Sequence, residues 1–179
     1  MYMEEGNITV ADMVRGVYGL TVQDIRTYSP LTLAYIGDAI YDLVIRTMLV
    51  ERGNSQVNKL HKRASSFVKA AAQKQIMEAI EPTLTPEEHS YYKRGRNAKS
   101  FTTAKNASVV EYRVATGFEA LMGFLYLTGQ MQRLMELVKL GTDTLSGIPG
   151  GGQAGREKEE AQKTVEGQEA QGSEDAGAG

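Results

Sequence analysis

Leu31-Thr-Leu-Ala-Tyr-Ile-Gly-Asp-Ala-Ile-Tyr-Asp-Leu-Val-Ile-Arg-Thr-Met-Leu-Val-Glu-Arg52 is the stretch on which the reading of this 179-residue chain turns. Its ends are those of a helix. Ser29 suits the N-cap, Pro30 the first helical position and Gly53 a left-handed stop. The helical step puts Leu33, Ile36, Ile40, Leu43 and Val44 on one side and Leu31, Ala34, Ile45 and Leu49 on another. A helix apolar nearly all round is expected to run through a core. Asp38 falls in the middle of the second side, one turn before Asp42, and an aspartate is rarely buried without a partner.

A second acid has the same position on another helix. Ala107 to Leu127 has helical spacing through Val110, Val114, Phe118, Leu121 and Leu125, ended by Gly129, and it carries Glu119. The face of Glu119 includes Ala115, Thr116 and Gly123, small residues that let a neighbouring helix approach closely. Packed antiparallel, the two helices bring Asp38 and Glu119 together. Adjacent carboxylates repel, so one takes a proton or a cation sits between them, and hard oxygen ligands favour Mg2+ or Mn2+. Taken singly, a buried acid is more often a structural group paired with a core arginine such as Arg46 or Arg113. Asp42, one turn away, suits either a supporting position or the exposed end of the face.

Further helices complete an all-α expectation. A short helix with a turn before Leu20 is expected within Glu4 to Thr27, where Gly16 and Gly19 interrupt a weak stripe of Val10, Met13, Val14 and Val17. Ser55 to about Glu78 reads as one long helix or two abutting ones, interrupted at Pro82. Thr85-Pro-Glu-Glu88 is a capping box opening a helix to about Arg94, and Lys93 to Ser100 reads as a loop. Gln130 to Leu140 makes a final amphipathic helix. The organisation expected is an extension with a short helix over 1–28, a helical domain over 29–147 and a disordered Gly/Glu/Gln/Ala-rich tail over 148–179.

Composition narrows the chemistry. Cysteine is absent, which excludes disulfides, thiolate zinc sites and cysteine nucleophiles and fits a cytoplasmic protein. Two histidines are too few for a histidine-rich metal site, and neither a secretion signal nor a membrane-spanning run is present. The net charge of −2 is set by the tail. From Gly151 onward Arg156, Lys158 and Lys163 face seven acids, leaving the body slightly basic. Acid-free stretches run from Arg52 to Met77 and from Ser90 to Val110. The second holds Lys93, Arg94, Arg96, Asn97, Lys99 and Lys105, a set suited to a phosphate backbone, with Gly95 letting the loop follow a groove.

Tyr35-Ile-Gly-Asp-Ala39, followed by Glu119-Ala-Leu-Met-Gly123, resembles the ribonuclease III catalytic domain. Arg94-Gly-Arg-Asn-Ala-Lys99 and Glu111-Tyr-Arg-Val-Ala-Thr-Gly-Phe-Glu-Ala120 are similar to the Mini-ribonuclease III branch, which lacks a double-stranded-RNA-binding domain. The resemblance covers about Ser29 to Leu140 and implies the helical bundle of the ribonuclease III endonuclease domain. It also implies magnesium-dependent cleavage of double-stranded RNA by a homodimer whose signature helices pack together, with Asp38 and Glu119 as the catalytic, metal-holding pair. Precursor large-subunit (23S) ribosomal RNA is the substrate it points to, with a ribosomal protein admissible as an assisting partner. Three acids of the family are missing, at Leu31, Ala34 and Thr116, which implies a lean site. Two other classes compete with this reading. A non-catalytic RNA-binding helical module would carry the two acids as structural groups. A helical nucleotide phosphohydrolase would show repeated acidic or His-Asp pairs, which are not evident.

Overall fold

The computed structural model describes residues 8–99 and 108–145. Among them the backbone is helical, with no strand: α1 (Val10–Tyr18), α2 (Pro30–Glu51), α3 (Val57–Val68), α4 (Ala70–Ile80), α5 (Pro86–Arg96), α6 (Val109–Leu127) and α7 (Met131–Leu145). Short 3₁₀ turns at Ile25–Thr27 and Glu81–Thr83 link them. The all-α expectation holds.

Local chemistry sets the ends. Ser29 accepts the backbone N–H of Thr32 at 3.0 Å and Pro30 opens α2. Gly53 beyond its end takes φ +123°, which a side chain disfavours. Thr85 and Glu88 close the capping box of α5, and Ser108 with Glu111 forms another at the start of α6. Lys69 is extended, so the run after Ser55 is two helices.

The core is built round α6. From Ala115 to Tyr126 every residue except Glu119 is buried, because α2, α4, α5 and α7 pack against it. Burying a large apolar side chain such as Phe118 or Leu121 contributes about 1.5–3 kcal/mol each. Two glycine crossings draw helices against it backbone to backbone. A Cβ at Gly37 of α2 would lie 1.8 Å from the carbonyl oxygen of Glu119, and one at Gly123 would lie 2.0 Å from that of Leu33. On another side, a Cβ at Gly95 of α5 would lie 2.6 Å from the Cβ of Ala120 and 2.8 Å from the carbonyl oxygen of Thr116. Glu88, buried on α5, takes two hydrogen bonds from Arg133 of α7, at 2.8 and 3.0 Å, and locks those helices together.

Several expectations are corrected. Lys93 to Arg96 are the last turn of α5, and Gly95 serves helix packing, not a groove-following loop. The helix forms because Tyr91, Tyr92 and Gly95 bury one face against the core. Gly16 sits inside α1, whose Val10, Met13, Val14 and Val17 are exposed while Ala11 is buried. On α2, Leu31 and Leu43 are exposed, because no element of the described chain covers that side. α7 runs five residues past Leu140. Lys105 and the tail 148–179 lie outside the described residues.

Candidate metal and nucleic-acid site

The α2–α6 crossing places the two acids. Asp38 directly follows Gly37, the point of closest approach, and Gly37 meets the backbone of Glu119 itself. Asp38 and Glu119 are thus neighbours on opposite helices, as the small-residue face of α6 led one to expect. Asp38 is exposed, however, where an interior position was expected. The uncovered side of α2 leaves it open to solvent, while Glu119 is half-buried beneath it.

Both carboxyls hold protons more tightly than usual. Burial, then the charge of Asp38, pushes Glu119 up to about 7, against a smaller opposing contribution from the Gln73 side chain. Partial burial of its carboxyl, followed by the charge of Asp42, raises Asp38. Neither acid has a basic partner among the described residues. Arg46 pairs with Asp42, and Arg113 lines a groove instead. Structural pairing with either arginine is therefore not what holds these acids. Glu88 shows the contrast: the Arg133 guanidinium holds its carboxyl below the usual range.

The set fits a hard divalent cation in charge, not in ligand number. The charge of one carboxyl reaches the other with no basic group among the described residues to neutralise it, and a cation between them would offset both upward shifts. Among the described residues no group of three acids or histidines suited to a metal is present. Leu31, Ala34 and Thr116 supply no carboxylate, so water and substrate oxygens would complete the shell. Gln73 of α4 is 1% exposed and reaches the Glu119 carboxyl, although its Nε2 closes no hydrogen bond of full geometry among the described residues.

The basic residues divide. Lys93, Arg96, Asn97 and Lys99 are exposed at the end of α5 and just beyond it. Arg94 is half-buried, donates to the Tyr28 carbonyl at 3.0 Å and lies 5.0 Å over the Tyr91 ring, so it ties α5 to the segment before α2. Arg96 lines a groove with Lys74, Arg113, Glu78 and Tyr92, where α4, α5 and α6 meet. Sequence reasoning missed Gln73 and this grouping of Lys74 with Arg113. Gln73 was signalled by its register: with Ile76, Met77 and Ile80 it occupies an i, i+3, i+4, i+7 stripe, where an amide is out of place.

Known proteins are similar to this chain over the body that carries the site. Residues 31–130 match the family model described as Ribonuclease III domain. A Mini-ribonuclease 3 of Clostridium tetani is 50% identical over 121 residues, 67% of this chain and 80% of that protein. A Mini-ribonuclease 3 of Enterococcus faecalis is 53% identical over 119 residues, 65% of this chain and 90% of its own length. A crystal structure of a Fusobacterium nucleatum protein superposes with a TM-score of 0.62 at 32% identity, covering 68% of this chain and 98% of that one. The chain therefore belongs to the ribonuclease III family, in its Mini-ribonuclease 3 branch, and is an endoribonuclease.

Proposed function

We propose that this endoribonuclease cleaves double-stranded RNA by divalent-metal-assisted phosphodiester hydrolysis, with Asp38 and Glu119 holding the cation. The observation that carries the reading is the α2–α6 crossing, where two proton-binding carboxyls come together with no basic partner among the described residues. Magnesium, or manganese in its place, would supply a hydroxide nucleophile and offset charge on the phosphate. Asp38, at the surface, opens the pair to a duplex too wide to enter a cleft. Half-buried Glu119 fixes the inner side of the site. Lys74, Arg96 and Arg113 in their groove, with Lys93, Asn97 and Lys99 nearby in sequence, offer donors for phosphates and 2′-hydroxyls. Lys105 belongs to the same basic stretch of sequence.

The protein acts in this reading as a homodimer through the side of α2 that none of the described residues covers. Leu31, Tyr35, Leu43 and Val50 are exposed there at helical spacing, Tyr35 by 82%. Family resemblance supports precursor large-subunit ribosomal RNA as the substrate, a ribosomal protein as an assistant and a cytoplasmic setting. The described helices include none long and apolar enough to cross a membrane. The catalytic domain spans 29–147, with 1–28 as an extension.

Cleavage of labelled duplex RNA with magnesium tests the reading, comparing wild type with Asp38→Asn and Glu119→Gln. Both variants should bind RNA and cut about a thousandfold more slowly, since a metal supplies several kcal/mol of transition-state stabilisation. A variant that cuts at the wild-type rate removes its residue from the site.

A further inference from the structure

Two buried-side glutamates of this protein are treated differently. Glu88 lies against a guanidinium and is neutralised by it. Glu119 lies against an uncharged amide, that of Gln73, on an otherwise apolar stripe of α4. A lysine or arginine at that place would neutralise Glu119 and compete with any cation brought to it. A carboxylate would add a third negative charge to a pair that already repels. An amide does neither: it offers N–H donors to one carboxylate oxygen and leaves the other free.

We propose that Gln73 is a positioning residue for the metal site, its buried amide orienting the Glu119 carboxylate so that one oxygen faces Asp38. This rests on the reading of Asp38 and Glu119 as the cation site. The geometry supports it in two ways. Gln73 is 1% exposed, and a buried polar group costs stability unless it is paired. Its Nε2 nonetheless closes no hydrogen bond of full geometry among the described residues. The Glu119 carboxyl, which the side chain reaches, is the acceptor at hand. Helix packing fixes the approach, since α4 packs directly on α6 and Gln73 cannot swing out to water. Partners of this kind, which orient a ligand without touching the metal, recur at metal sites.

The experiment uses the full chain with Gln73→Met, which keeps length and apolar fit but removes the donor, and Gln73→Leu as a second replacement. Binding of Mn2+ alone is followed by calorimetry without RNA, melting is followed in chelator, and duplex cleavage gives kcat and KM. Both variants should bind Mn2+ about 10- to 100-fold more weakly. They should lose kcat by a similar factor with KM for RNA unchanged, and melt at or above the wild-type temperature in chelator. Wild-type Mn2+ affinity in either variant overturns the proposal. So does a lower melting temperature or loss of folding in both, which would make Gln73 a structural group. Glu119→Gln, run alongside, separates the two readings. If it binds Mn2+ as wild type does, or if wild type binds none, the carboxylate site itself is wrong and the role of Gln73 falls with it. If Glu119→Gln loses Mn2+ while Gln73→Met keeps it, only the role of Gln73 fails.

Discussion

Glu88 and Glu119 titrate in opposite senses, and their neighbours explain why. Arg133 holds Glu88 below its usual value of 4.5, so this group contributes stability above about pH 4.5 that is lost as pH falls through its folded value. Burial and Asp38 push Glu119 from 4.5 to about 7. The folded, metal-free chain thus holds a proton there that the unfolded chain releases, and stability falls as pH rises between those values. Glu119→Gln removes that loss. In chelator it should melt above wild type at about pH 8, with the gap closing as pH drops toward about 4.5. Thermal melts across that range check it, and a gap independent of pH would show that Glu119 keeps an ordinary carboxyl. At this scale the sequence identified the two acids by their apolar surroundings. Exposure is less legible: periodicity ranks the faces of a helix without saying which are covered, so Asp38 reads as interior where the structure opens it to solvent.

Helix crossings explain why the signature segment reads Ile36-Gly-Asp38. The glycine is needed for contact, since α6 runs its backbone against that point of α2. Gly37→Ala should therefore destabilise by about 3 kcal/mol or more, because backbone on the facing side cannot yield as a side-chain tip can. Gly16→Ala is the control: nothing lies within 4 Å of its Cβ, and the change should stabilise α1 by up to about 1 kcal/mol. Denaturant unfolding of both variants decides. Two small effects of like sign would mean that α2 and α6 do not meet as described. Element ends were legible where caps are local, as at Ser29, Thr85 and Gly129. The end of α5 was not, because glycine and a charge run outweigh burial in a sequence-only reading. Tyr91, Tyr92 and Gly95 extend the helix by packing on α6, a tertiary effect that overrides propensity.

For the whole molecule the uncovered side of α2 matters most. Leu31, Tyr35, Leu43 and Val50 expose a row of apolar groups beside Asp38, an arrangement a second copy of the chain would cover. Sedimentation at about micromolar concentration should show a dimer for wild type. Tyr35→Glu combined with Leu43→Glu should give a helical monomer, since two charges would be buried without partners on association. A monomeric wild type refutes the dimer. Basic groups are organised at this scale too. Arg94, expected on RNA, is drawn to Tyr28 and Tyr91, whereas Arg96 joins Lys74 and Arg113 from other helices.

By itself the sequence determined that this protein is all-helical, that Asp38 and Glu119 are its anomalous acids, and that its body carries basic acid-free stretches. Those features are local: periodicity, capping and charge are written in neighbouring residues. Tertiary structure decided which faces are covered, that Asp38 opens to solvent beside half-buried Glu119, that Gln73 is sealed within reach of Glu119, and which cations share a groove. These depend on contacts between residues far apart in the chain, and a helix's own pattern does not say which neighbour will pack on each of its sides.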